Sequence, residues 1–223
     1  LLLLGACTRS ASSPLAIPSL QPTPSPTPAA VPYPLALAST WIYDYRAYSA
    51  SQQAAWIVTE TIIKSDQQIV LLIATVQRTA RLIDGQPDQS LPNIPKDETF
   101  WYILRGGELY RQTGHLNPSD LSQNTSLELF FPPESVPCWY LAESLGPLQK
   151  GESGCRTVNT YLPSYETVSG SFKNCLELIT PFLSGNELAI FCPHIGFVAG
   201  KYEHLGDVFG YEFKLLGYSL PEP

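Results

Sequence analysis

From about Leu35 onward, apolar and polar residues alternate with a period of two rather than recurring every three or four positions. In "TWIYDYRAY" this alternation puts Trp41, Tyr43 and Tyr45 on one face. "AAWIVTETII" follows the same rule and is rich in β-branched residues, which suit a pleated surface. In "QQIVLLIATVQRTARL" the residues from Ile69 to Ile73 are apolar on both faces. That strand must be covered on both sides, as in a sandwich, a closed barrel, or a curved sheet wrapped round a helix or a ligand. "ETFWYILRGGELYRQTG" reads as a hairpin in which Gly106-Gly107 supplies the positive φ of a tight turn. Further short strands follow in "SLELFFPP", "CWYL", "YETVSGSFKNCLELIT", "ELAIFCPHIGFVAGKYEH" and "GYEFKLLGYSL", and only Tyr140 to Leu145 hints at a short helix. The pattern predicts a mainly β fold, a single curved antiparallel sheet or half-barrel with few or no helices, in one domain over residues 35–223.

The residues before that domain follow another rule. "LLLLGAC" has too few apolar residues to span a bilayer, which needs about 20. It reads as the end of a signal peptide, residues 1–6, removed on export. Leu4-Gly5-Ala6-Cys7 resembles a bacterial lipobox: an aliphatic residue, two small residues, then the cysteine that becomes a lipid-bearing N-terminus. Two or more acyl chains on Cys7, at about 0.8 kcal/mol per buried CH₂, would hold the chain at a membrane. Residues 8–34 then carry eight prolines among Ser, Thr and Ala. Proline fixes φ and lacks a donor, so this stretch is expected to be a disordered, extended tether spanning up to roughly 80 Å.

Charge removes several functions. The net charge is −7, with 13 basic residues among 223 and a pI near 4.9. Nucleic acid is excluded as a partner, since neutralising phosphates needs a basic stripe. Five cysteines without a CxxC suit an exported chain. With Cys7 lipidated, four remain and allow three pairings. Cys138 and Cys155 lie 17 residues apart, as do Cys175 and Cys192, and a turn over Pro181 to Asn186 places the latter two opposite one another. The expected bonds are Cys138–Cys155 and Cys175–Cys192, each worth about 3 kcal/mol in the loop-entropy account. No GxSxG, HExxH, SxxK or P-loop occurs, so no catalytic residue is assigned. His194, Glu203, His204 and Asp207 sit close in sequence, but strand alternation splits Glu203 from His204. No metal and no cofactor are expected.

The last third carries a resemblance. "GSFKNCLEL", a turn, "FCPHIGFVAGKYEH" and "GYEFKLLGYSL" resemble the closing hairpins of a group of uncharacterised bacterial lipoproteins, most specifically over Gly170 to Gly196. Such domains are similar in outline to curved antiparallel sheets of the lipoprotein-localisation-factor type. His194 stands where the group often has glycine, in a C-P-G-hydrophobic-G corner. The resemblance implies a lipid-anchored domain on the extracytoplasmic side of the cell membrane or outer membrane, and no particular activity.

Aromatic residues supply the last clue. They serve either as core, since they pack well on pleated surfaces, or as the wall of an apolar cavity inside a curved sheet. The expected function is non-catalytic binding of an apolar or lipid-like ligand, with Trp41, Tyr43, Tyr45, Trp56 and Trp101 facing it. The alternative is an envelope structural or protein-interaction module with a solid core. Lipidation is tested directly: radiolabelled palmitate supplied to expressing bacteria is expected to label the chain, and Cys7→Ser to abolish the label. Equal labelling of the variant would refute the lipobox reading.

Overall fold

The computed structural model describes residues 33–50, 53–65, 69–78, 91, 95–105, 107–113, 125–130, 138–140, 153–206 and 208–221. The expectations for Cys7, most of the tether, Gly106, Asp207 and residues 141–145 fall outside that set, as do the side chains of 69–78. Among the described residues there is no helix. Twelve strands are present: β1 (Thr40–Tyr48), β2 (Gln53–Ser65), β3 (Ile69–Arg78), β4 (Glu98–Arg105), β5 (Glu108–Thr113), β6 (Thr125–Phe130), β7 (Trp139–Tyr140), β8 (Cys155–Thr167), β9 (Gly170–Phe182), β10 (Gly185–Cys192), β11 (Gly196–His204) and β12 (Gly210–Ser219).

All pairings are antiparallel, in the order β6-β5-β4-β3-β2-β1-β12-β11-β10-β9-β8-β7. The chain is therefore two six-strand meanders joined where β1 pairs with β12. The two sheet edges, β6 and β7, are consecutive in sequence. The sheet curls until these edges approach, but among the described residues no ladder joins them, so the barrel stays open along a seam. This is the curved antiparallel sheet that the alternation predicts.

Period-two burial is clear on β1, where Trp41, Tyr43 and Ala47 are buried while Ile42 and Arg46 are exposed. Trp41 is fully buried, and its indole Nε1 donates to the Ile195 carbonyl at 2.7 Å. The Tyr43 hydroxyl donates to the Phe197 carbonyl at 3.1 Å. These two bonds tie β1 to the far meander in regions no backbone ladder reaches. The main core gathers Trp41, Ile62, Leu178, Phe191, Val198 and Leu215, and a smaller cluster of Ala47, Ala54, Trp56 and Leu91 packs against Tyr45. Gly200 is needed for close approach: the Phe213 ring lies flat over it, where a Cβ would collide. Tyr33, placed with the tether by composition, is buried in this core.

The strands are longer than their sequence pattern suggests, with β2, β8 and β9 each 13 residues. Most of β8 beyond Cys155 has no apolar alternation, because its hairpin with β9 leaves many positions on both faces exposed. Disulfides join Cys138 to Cys155 and Cys175 to Cys192, with Cα atoms 5.4 Å and 4.2 Å apart. The turn between β9 and β10 is tighter than Pro181 to Asn186, since those two residues pair and only Leu183-Ser184 remain outside the strands.

In the β10–β11 corner His194 has φ 66°. That left-handed conformation is the one glycine adopts freely and a residue with a Cβ adopts at a cost. Urea unfolding should find His194→Gly neutral to stabilising by about 1 kcal/mol, and His194→Val destabilising by about 1–2 kcal/mol. A destabilising glycine would mean that the imidazole makes a compensating contact.

Candidate functional site

The concave face of the curled sheet carries an open-mouthed cavity of about 460 Å³. Space exists there because Val58 and Ala189 hold inward positions between large rings. On one side the buried Tyr33 forms part of the cavity wall. Its ring lies 5.5 Å from Tyr102, 5.8 Å from Trp41 and 6.1 Å from Phe191. Tyr43 and Tyr45 of β1, Phe100 and Tyr102 of β4, and Tyr211 and Phe213 of β12 supply most of the aromatic wall.

Charged groups supply the rest. Glu60 sits on the inward row of β2 with Val58 and Ile62, Arg111 on β5, and Glu187 on β10 in line with Ala189 and Phe191. Glu128 reaches the cavity by another route. The β5–β6 register shifts between Leu109 and Tyr110, leaving Glu128 as the extra residue of a bulge that turns its side chain inward. Arg156 links three strands. Its Nε donates to Thr180 Oγ1 at 2.9 Å, one terminal nitrogen to the Glu128 carbonyl at 3.1 Å, and the other to Glu187 Oε1 at 3.2 Å. A carboxylate oxygen of Glu128 lies 3.6 Å from the same group. Arg111 pairs with Glu98 at 3.5 Å and lies over the Phe100 ring at 3.9 Å.

Burial sets the protonation states. It pushes the Glu60 carboxyl up to about 7, with Arg111 pulling down and Glu128 pushing further up. Burial also raises Glu187, despite the opposing charge of Arg156. The Tyr33 and Tyr43 hydroxyls are raised by burial and by neighbouring tyrosines and Glu60, and so stay neutral. Arg111 loses solvation, but Glu128, Tyr102, Glu60 and Glu98 outweigh that loss and hold its guanidinium above the ordinary value. Among the described residues Glu60 makes no hydrogen bond. Chemically, the site offers a carboxyl that exchanges a proton near neutral pH, tyrosine faces and hydroxyls, and two compensated arginines. Its described lining contains no serine, cysteine or histidine.

Of the aromatics expected to face a ligand, Tyr43 and Tyr45 line the cavity. Trp41 is packed in the core, Trp56 is buried against Tyr45 in the smaller cluster, and alternation puts Trp101 on the opposite face from Phe100 and Tyr102. His194 and His204 lie at opposite ends of β11 and are not brought together. The lining is more polar than an apolar cargo site calls for, because Glu60, Glu98, Glu128, Glu187, Arg111 and Arg156 border the space and Lys96 stands at its rim. The signal for Glu60 was present in the sequence: a carboxylate on an otherwise apolar row of "AAWIVTETII".

No protein-family model matches the chain, and no curated protein matches it in sequence. Among solved structures, a candidate lipoprotein from Parabacteroides distasonis ATCC 8503 is similar with a TM-score of 0.50 and 11% identity, over 85% of this chain and 99% of that one. A candidate exported protein with a YmcC-like fold from Bacteroides fragilis NCTC 9343 gives 0.48 and 11%, over 86% and 100%. At this identity the first likeness establishes a common fold.

The Glu60 carboxyl titrates higher in the folded protein than in the unfolded chain. The folded state therefore binds more protons between pH 4.5 and about 7, and stability falls as pH rises through that window. Glu60→Gln is expected to flatten that fall and to raise unfolding free energy at pH 8 by on the order of 2 kcal/mol. Glu187 shares the sign, so part of the slope remains. Chemical denaturation at pH 5 and pH 8 reads the difference, and an unchanged slope would refute this account.

Proposed function

We propose that the chain is an exported, membrane-anchored lipoprotein that holds a small amphipathic ligand inside its curved sheet without transforming it. The observation carrying this reading is the open-mouthed cavity of about 460 Å³, with aromatic walls and convergent polar groups. A ligand with an apolar face and at least one polar group matches such a lining better than a lipid tail does. Anchoring is supported by the lipobox-like Leu4 to Cys7 and by sharing a fold with a candidate lipoprotein. The domain would stand on the extracytoplasmic side of the cell membrane or outer membrane.

One observation favours a protein-interaction module instead. Leu183 is 95% exposed on the β9–β10 turn, and Leu205 and Val208 are exposed on the adjoining β11–β12 connection. The two turns are bonded, Leu205 N donating to the Ser184 carbonyl at 2.7 Å. Native mass spectrometry of the full chain purified from an oxidising compartment separates the readings. A co-purified small molecule that is lost in the cavity-filling variant Ala189→Phe is expected. A wild-type chain of bare mass would overturn ligand binding and leave the apolar turns as the feature to explain.

A further inference from the structure

The cavity's charges do not balance. Glu60, Glu98, Glu128 and Glu187 supply four carboxyls, whereas Arg111 and Arg156 supply two guanidinium groups, and Lys96 is exposed at the rim. Both arginines are already engaged. Arg156 is held by Glu128, Glu187 and Thr180, and Arg111 by Glu98 and the face of Phe100. Glu60, half-buried and lining the cavity, is left without a hydrogen bond among the described residues. The charge of Arg111 offsets that of Glu60 only in part, and no cationic side chain hydrogen-bonds the carboxylate, which leaves it the polar group of the lining with unused acceptor capacity.

Around Glu60 the walls are rings. Tyr43, Tyr45, Phe100, Tyr102, Tyr211 and Phe213 all border the cavity. The negative faces of aromatic rings attract cations, most strongly where water is excluded. An anion would have to displace carboxylates from the arginines, and a purely apolar molecule would leave Glu60 unpaired. We propose that the cavity recognises an organic cation, an amine or quaternary ammonium whose charge lies against Glu60 and whose carbon skeleton lies against the tyrosine and phenylalanine rings. This rests on the ligand-binding reading above and names the ligand class of that same site.

Proton linkage follows from the same groups. Facing Glu60 are Tyr43 from β1, Tyr102 from β4, Arg111 from β5, Glu128 from β6 and Tyr33 from the segment before β1. Arg111 stays charged and the tyrosines stay neutral across the neutral range, so Glu60 is the group whose charge changes there. A cation binds the ionised carboxylate, so affinity rises with pH up to about 7 and then levels.

A matched pair of probes tests the class. 2-Phenylethylamine and 2-phenylethanol have nearly the same shape and differ in charge at pH 8. Calorimetric titration of the full chain, freed of any co-purified molecule, is expected to find the amine bound about tenfold or more tighter than the alcohol. The preference should shrink at pH 5.5 and vanish in Glu60→Gln, whereas the surface variant Glu203→Gln should retain it. Glu60→Leu serves as a second variant should the glutamine fold poorly. Equal binding of the two probes, a preference that survives removal of Glu60, or binding of neither probe would overturn the cation assignment. Equal binding would leave the ligand-binding reading standing. That reading falls separately, if the chain purified without stripping carries no small molecule.

Discussion

One guanidinium joins β8 to β6 and β10, two strands with which β8 shares no backbone ladder. Arg156, on β8, bonds to β6 through the Glu128 carbonyl, to β9 through Thr180 and to β10 through Glu187. Its side chain is only 4% exposed, so its charge could not be buried without those partners. The bonds also decide how far the sheet curls. An antiparallel sheet of twelve strands could splay open, because twist and register alone do not bring its edges together. The link across the seam fixes the curvature, and with it the volume enclosed. The same two carboxylates that anchor the arginine form part of the cavity wall, so shape and electrostatics come from one set of residues.

Much of the architecture was legible in the alternation. The β1 row of Trp41, Tyr43 and Tyr45, the Arg105–Glu108 turn and the facing positions of Cys175 and Cys192 all follow from period two and turn chemistry. β8 was legible only over its final residues, because alternation records the burial of one face and most of this strand buries neither. Bulges are harder still. Glu128 faces the interior because one extra residue shifts a register, and nothing in "SLELF" marks that shift. Tyr33 is hidden for a compositional reason, since it sits between Pro32 and Pro34 in a stretch that looks like tether from end to end.

The candidate site shows why fold likeness and chemistry separate. A likeness at 11% identity preserves strand order and curvature, whereas a cavity wall is set by a few inward positions. Replacing Glu60 or Arg111 by apolar residues would leave the path of the sheet alone and change what it could hold. The high aromatic content follows the same division. Trp41 and Trp56 are spent on packing, and tyrosines, whose hydroxyls stay neutral here, form the surface that faces the void.

Tyr33 belongs to the proline-rich segment before β1 and to the cavity wall at once. Its ring is held by Trp41, Tyr102, Phe191 and Phe197, and it rests against Gly196, where a Cβ would lie 3.3 Å away. Tension along the preceding segment would thus be borne first by these ring contacts, rather than by a strand at the rim. Work done in drawing the tyrosine outward would enlarge the void it borders. By reciprocity, any occupant that favours one position of the ring changes the force at which it yields. One ring thus couples the segment before β1 to whatever occupies the curve of the sheet.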